Sequence, residues 1–92
     1  MDPSARLRYG DALLREGNYA GAVAEYEQAA NSSLDSGLTV KAVAVLRQIA
    51  DIIDRWAPQL VEERTRVLRA LLGCFTTLGL TSDADAVRQL LN

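Results

Sequence analysis

Arg66, Arg69, Gly73 and Thr76 recur at steps of three and four residues, a spacing that lines side chains along one face of a helix. Two guanidiniums beside a small hydroxyl residue suit the capture of a carboxylate, because the planar fork of arginine pairs with it through two hydrogen bonds. The glycine in the strip would admit close approach of a partner's backbone. An acidic peptide or a chain-terminal carboxylate fits this chemistry. The competing reading is a solvated helix face on which Glu62 and Arg66, four residues apart, pair with each other.

Nothing else in the chain is arranged for reaction chemistry. It contains no histidine, which removes the commonest general base and metal ligand. Cys74 is the single cysteine and sits in an apolar run, where it reads as a small buried hydrophobe. Glu25 with Glu27, and Glu62 with Glu63, are spaced to point in different directions on a helix. Asp83 and Asp85 are explained as favourable charges at a helix N-terminus. No glycine-rich phosphate loop follows a strand. The expectation is a protein without catalytic residues, metal, cofactor or small-molecule substrate.

The elements that would position the strip are helices. Of the 92 residues, 49% are hydrophobic and 24% charged, and only two are proline, the composition of a single folded domain spanning 1–92. The net charge is −2 with both signs well mixed, so no basic footprint for nucleic acid is present. Nine of the ten basic residues are arginine, the usage of a GC-rich genome. Met1 leads into Asp2-Pro3 without a basic or apolar leader, and no apolar run approaches the ~20 residues of a membrane span. A cytoplasmic protein is expected.

Five helices follow from caps and apolar spacing, over about 3–16, 19–32, 39–55, 58–78 and 82–91. Asp2 caps the first, with Pro3 in its opening turn; Gly17 stops it and Asn18 caps the second. The second runs out in Asn31-Ser32-Ser33, residues that compete with helical backbone bonds. Thr39 caps the third. Its Val40, Val43, Val45, Leu46, Ile49, Ile52, Ile53 and Trp56 cover more than one stripe, so it is expected at the centre, packed on two sides. Pro58 opens the fourth, Gly79 closes it, and Thr81 or Ser82 caps the fifth, with Ser82 and Asp85 resembling a capping box. Tyr19 and Tyr26 are expected in the core, and Trp56 is expected to seal the end of the third helix.

Three of these helix starts share one layout, a glycine followed five residues later by alanine: Gly17 with Ala22, Gly37 with Ala42, and Gly79 with Ala84. The glycine reverses the chain, and the small alanine lets consecutive helices approach closely, as in stacked antiparallel helix pairs. On this layout, and on Gly10, Gly17, Tyr19, Ala22, Tyr26 and Ala29 within residues 3–34, the chain resembles the tetratricopeptide repeat family. Gly37 to Gln48 resembles the second helix of a related unit, and Leu68 to Leu91 most of a third. Arg6 stands where the family has Trp, and Leu72 where the last unit would have Gly. The repeated glycines lie 20 and then 42 residues apart, against a family period of about 34. The resemblance therefore implies an all-α chain of about five antiparallel helices in tetratricopeptide-like hairpins, as a compact bundle or a short right-handed superhelix.

It also implies a function. In that family the first helix of each pair lines a groove that receives a peptide or a partner helix. Carried over by position, the groove residues are Leu7, Asp11, Leu14 and Arg15 on the first helix, and Arg66, Arg69, Gly73, Thr76 and Thr77 on the fourth. The chain is thus expected to be a protein-binding adaptor or scaffold module of bacterial origin. Its rival roles are self-association within a larger assembly, because short helical arrays leave their outer faces uncovered, and a death-domain-like signalling bundle. Its partners would be protein, with a homo-oligomer as the alternative, and neither nucleic acid nor membrane.

Overall fold

The computed structural model describes residues 2–92; Met1, the first residue of the expected domain, lies outside them. The chain is all-α. Five helices follow in order: α1 (Pro3–Arg15), α2 (Tyr19–Asp35), α3 (Thr39–Trp56), α4 (Val61–Leu78) and α5 (Thr81–Leu91), with no strand among the described residues.

Two of the helix starts carry side-chain caps. The Asp2 carboxylate accepts the Ala5 N–H at 2.8 Å, and Pro3 follows in the first turn. The Asn18 side chain accepts the Gly21 N–H at 2.9 Å. Each satisfies one of the donors that a helix start leaves open.

The Gly-to-Ala layout is one turn used three times. Gly17, Gly37 and Gly79 have φ of 77°, 76° and 72°, the left-handed region that glycine enters at least cost. In each turn the glycine N–H donates three residues back. The N–H that follows it donates five back: Asn18 to Leu13 at 2.9 Å, Leu38 to Ser33 at 2.8 Å, Leu80 to Phe75 at 2.9 Å. This pair of bonds satisfies the last carbonyls of the outgoing helix. The residue after each glycine then opens the next helix, its carbonyl accepting the N–H of Ala22, Ala42 or Ala84. All three alanines are buried between helices. An added Cβ at Gly37 meets no neighbouring atom, so Gly37→Ala is expected to cost only the left-handed strain, about 1–2 kcal/mol. Thermal denaturation should show it as a fall of roughly 4–16 °C in a domain of this size.

That turn also corrects several boundaries. The helix stop belongs to Gly37, so α2 continues through Asn31-Ser32-Ser33 to Asp35, with Ser33 buried in the packing. Because the turn is only two residues long, Leu38 and Leu80 occupy the capping positions. Thr39, Thr81 and Ser82 are already helical, and no side chain caps α3 or α5. The Ser82–Asp85 capping box does not form; Asp85 accepts instead from Arg88 at 2.7 Å. The α3–α4 connection is built differently. Ala57 leaves the helical conformation at φ −139°, because the residue before a proline is driven out of it. Pro58 and Gln59 form a turn, closed by the Leu60 N–H on the Ala57 carbonyl at 3.0 Å, so α4 starts at Val61 rather than at Pro58.

Each helix packs mainly on its neighbours in the chain. Helix α3 is the central one: Ala42, Val43, Val45, Leu46, Ile49, Ile52 and Ile53 are all buried, filling its seams with both α2 and α4. The molecule measures 36 × 29 × 15 Å. Its thin dimension matches two layers of helices, whose axes lie 8–10 Å apart and whose Cα cylinders add about 2.3 Å on each side. Ion pairs tie the helices, Arg6 to Glu25 between α1 and α2 at 3.1 Å, Arg64 to Asp54 between α4 and α3 at 2.8 Å, and Arg47 to Asp83 between α3 and α5 at 3.7 Å. Alternating direction puts the Gly37 and Gly79 turns at one end of the slab, and the Gly17 turn and the α3–α4 connection at the other. No helix is long and apolar enough to cross a membrane.

Candidate functional site: a cleft between helices α2, α3 and α4

Helices α2 and α4 lie on the same side of α3 and leave a cleft of about 380 Å³ between them. Glu27 and Asn31 of α2, Leu46 of α3, and Arg66, Val67, Arg69 and Ala70 of α4 line it. Leu46 and Val67 are buried at its base, so the floor is apolar and the rim polar, the usual make-up of a recognition site.

Arg66 crosses this cleft. Its Nε and Nη2 donate to the two oxygens of Glu27 at 3.2 and 3.0 Å. The Glu62 pairing of the competing reading gives way to this one for a geometric reason. Glu62 would have to be met along the solvated side of α4, whereas Glu27 faces Arg66 across the seam with both oxygens presented to the fork. The Glu27 hydrogen bond, and then its charge, raise the Arg66 pKa above its ordinary value. Arg69, one turn further along α4, makes no ion pair among the described residues.

The rest of the strip continues beyond the cleft. Gly73, Thr76 and Thr77 are exposed and do not line it. The Thr76 hydroxyl donates to the Leu72 carbonyl of its own helix at 2.8 Å. A Cβ at Gly73 would meet no neighbouring atom. Gly73→Ala should therefore stabilise α4 by up to about 1 kcal/mol, the helix-propensity difference. A rise in the denaturation midpoint, opposite in sign to Gly37→Ala, checks this.

The α1 residues stand elsewhere. Leu7 and Leu14 are half-buried and pack on the core, Asp11 accepts the Tyr26 hydroxyl, and Arg15 is exposed in the last turn. Helix α1 packs chiefly on α2, and α4 on α3 and α5, so the two predicted groups stand on helices that share no main packing seam. Sequence reasoning missed Glu27, Asn31, Leu46, Val67 and Ala70. The one signal for them was the four-residue spacing of Glu27 and Asn31, which puts both on one side of α2.

Two further surfaces frame the molecule. At the Gly37 end, Gly37, Leu38, Thr39, Val40, Lys41 and Leu78 line a shallow depression of about 350 Å³, with Val40 70% exposed. At the opposite end Tyr19 is half-buried rather than in the core. Its ring stacks on Trp56 with centroids 5.9 Å apart and planes 9° from parallel, so Trp56 closes the end of α3 over α2. Tyr26 is fully buried, as expected. No group of three or more potential metal ligands converges among the described residues. Burial pushes the Cys74 thiol up, away from the thiolate that a nucleophile needs.

Set against known proteins, the chain matches no family model, no curated protein and no solved structure.

Proposed function

We propose that the chain is a non-catalytic protein-binding module, an adaptor or scaffold unit of the tetratricopeptide type, that takes a segment of a partner protein in the cleft between α2, α3 and α4. The observation that carries this reading is Arg69, a cation without an ion pair among the described residues, beside an apolar floor of Leu46, Val67 and Ala70. Packing of each helix on its chain neighbours, through one turn repeated three times, supports a helical-repeat architecture. This cleft is taken in place of the groove of the first and fourth helices drawn from family position alone.

Arg69 makes no ion pair among the described residues, so Arg69→Glu should leave stability unchanged. Peptides selected on the immobilised chain are expected to bind that variant at least tenfold more weakly by calorimetry. Equal affinity would remove the cleft as the binding site. Self-association is the second reading, favoured by Leu38, Val40, Leu78 and Leu80, all exposed at one end of the slab. Sedimentation of the same preparation across a concentration range decides it, since a strictly monomeric chain would eliminate this reading.

A further inference from the structure

We propose that Glu27 is an internal competitor. In the unliganded chain it occupies on Arg66 the seat of a glutamate side chain from the partner, so the cleft recognises a segment that carries glutamate next to an apolar residue. This rests on the reading of the cleft as the partner site.

The occupied seat shows which chemistry the site accepts. Glu27 reaches from α2, a neighbouring helix, and presents both carboxylate oxygens to the Arg66 fork at 3.0 and 3.2 Å. A glutamate on a segment lying along α4 would approach in the same way. Exposure shows where the exchange takes place: the Glu27 side chain is 20% exposed and that of Arg66 59%, so the guanidinium has an open side toward solvent. An arriving carboxylate also meets Arg69, three residues on and about 4.5 Å further along the helix axis. It gains two guanidiniums where Glu27 uses one. Glu27, once released, stays within the cleft near the Asn31 amide, which carries N–H donors. Arg69 is the cation of the lining that holds no ion pair among the described residues, whereas Arg66 already feels Glu27, Glu63 and Glu62, and Leu46, Val67 and Ala70 offer the floor for the apolar neighbour. Charge and shape together select a glutamate side chain with an adjacent leucine-sized group.

The test uses amide NMR of the full chain with a capped pentapeptide, Ala-Leu-Glu-Leu-Ala, as the probe. The peptide is expected to shift the Leu46, Val67 and Ala70 amides saturably, and its glutamine counterpart to bind at least fivefold more weakly. The Glu27→Gln chain should bind the glutamate peptide at least threefold more tightly than wild type. Glu27→Asp, which keeps the charge on a shorter arm, should fall between them. Equal affinity of all three chains, with the preference for glutamate intact, would overturn the competitor role and leave the cleft reading standing. Absence of any shift at the cleft in all three would remove the cleft itself. If the glutamine peptide with a free C-terminal carboxylate binds as well as the glutamate peptide, the side-chain assignment is wrong.

Discussion

Replacing Tyr26 with alanine is expected to release α1 from the rest of the chain, at a cost of about 3–5 kcal/mol, the range for deleting a buried aromatic ring. Tyr26 is fully buried, and Gly10 of α1 sits so close that a Cβ there would lie 2.7 Å from its ring. The Tyr26 hydroxyl donates to Asp11, the next residue of α1. Since α1 has its main packing on α2, these contacts are the seam that docks it. Hydrogen exchange reads the outcome directly: α1 amides should lose protection while those of α4 and α5 keep theirs. Uniform loss across all five helices would show that the seam is not a local unit.

The conservative variant Tyr26→Phe separates ring from hydroxyl. It removes a hydrogen bond to a carboxylate, worth about 1.5–3 kcal/mol, and leaves Asp11 at an exposed position where water replaces the lost donor, so the lower end of that range is expected. It should also change the response to alkali. Burial first, then the hydrogen bond to Asp11 and the negative charge of that carboxylate, raise the Tyr26 pKa. The unfolded chain therefore loses this proton near pH 10 while the folded chain still holds it. The stabilisation is complete below pH 10 and declines as the pH rises past it. Denaturant midpoints between pH 9 and 11 should fall for wild type and stay flatter for Tyr26→Phe.

Ile49→Ala is the second large effect, expected at about 2–5 kcal/mol with the cavity it leaves. Ile49 is fully buried on α3, the helix that packs on both α2 and α4. The loss falls on two seams at once, and total stability for a domain of this kind is only roughly 5–15 kcal/mol. Unlike Tyr26→Ala, this change should move the whole cooperative transition. Denaturant midpoints by circular dichroism and by Trp56 fluorescence should shift together. Separate shifts would place α3 outside a common unit with its neighbours.

These effects trace back to features of unequal legibility. The apolar coverage of α3 announced a central helix because burial on two sides leaves little room for charge, and Ile49, Ile52 and Ile53 are indeed in the core. Asp2 and Asn18 cap as expected because each acts within three residues of itself. Thr39 and Ser82 looked like equally good caps, yet the glycine turns had already set the capping positions at Leu38 and Leu80. Asn31-Ser32-Ser33 looked like an end on local preference alone. The Gly37 turn outweighs that preference, because its Leu38 N–H donates to the Ser33 carbonyl and its Gly37 N–H to the Leu34 carbonyl.

The sequence by itself determined what depends on near neighbours: five helices, their order, and three reversals set by Gly17, Gly37 and Gly79, whose missing side chains permit the left-handed backbone. It also placed Arg66 and Arg69 one turn apart on a common strip. Only the tertiary structure decided what that strip faces. Glu27 lies 39 residues from Arg66 along the chain, and no periodicity relates them. They meet because α2 and α4 pack on the same side of α3. Pairing across a seam depends on how whole helices are seated, whereas caps and turns depend only on residues a few positions away.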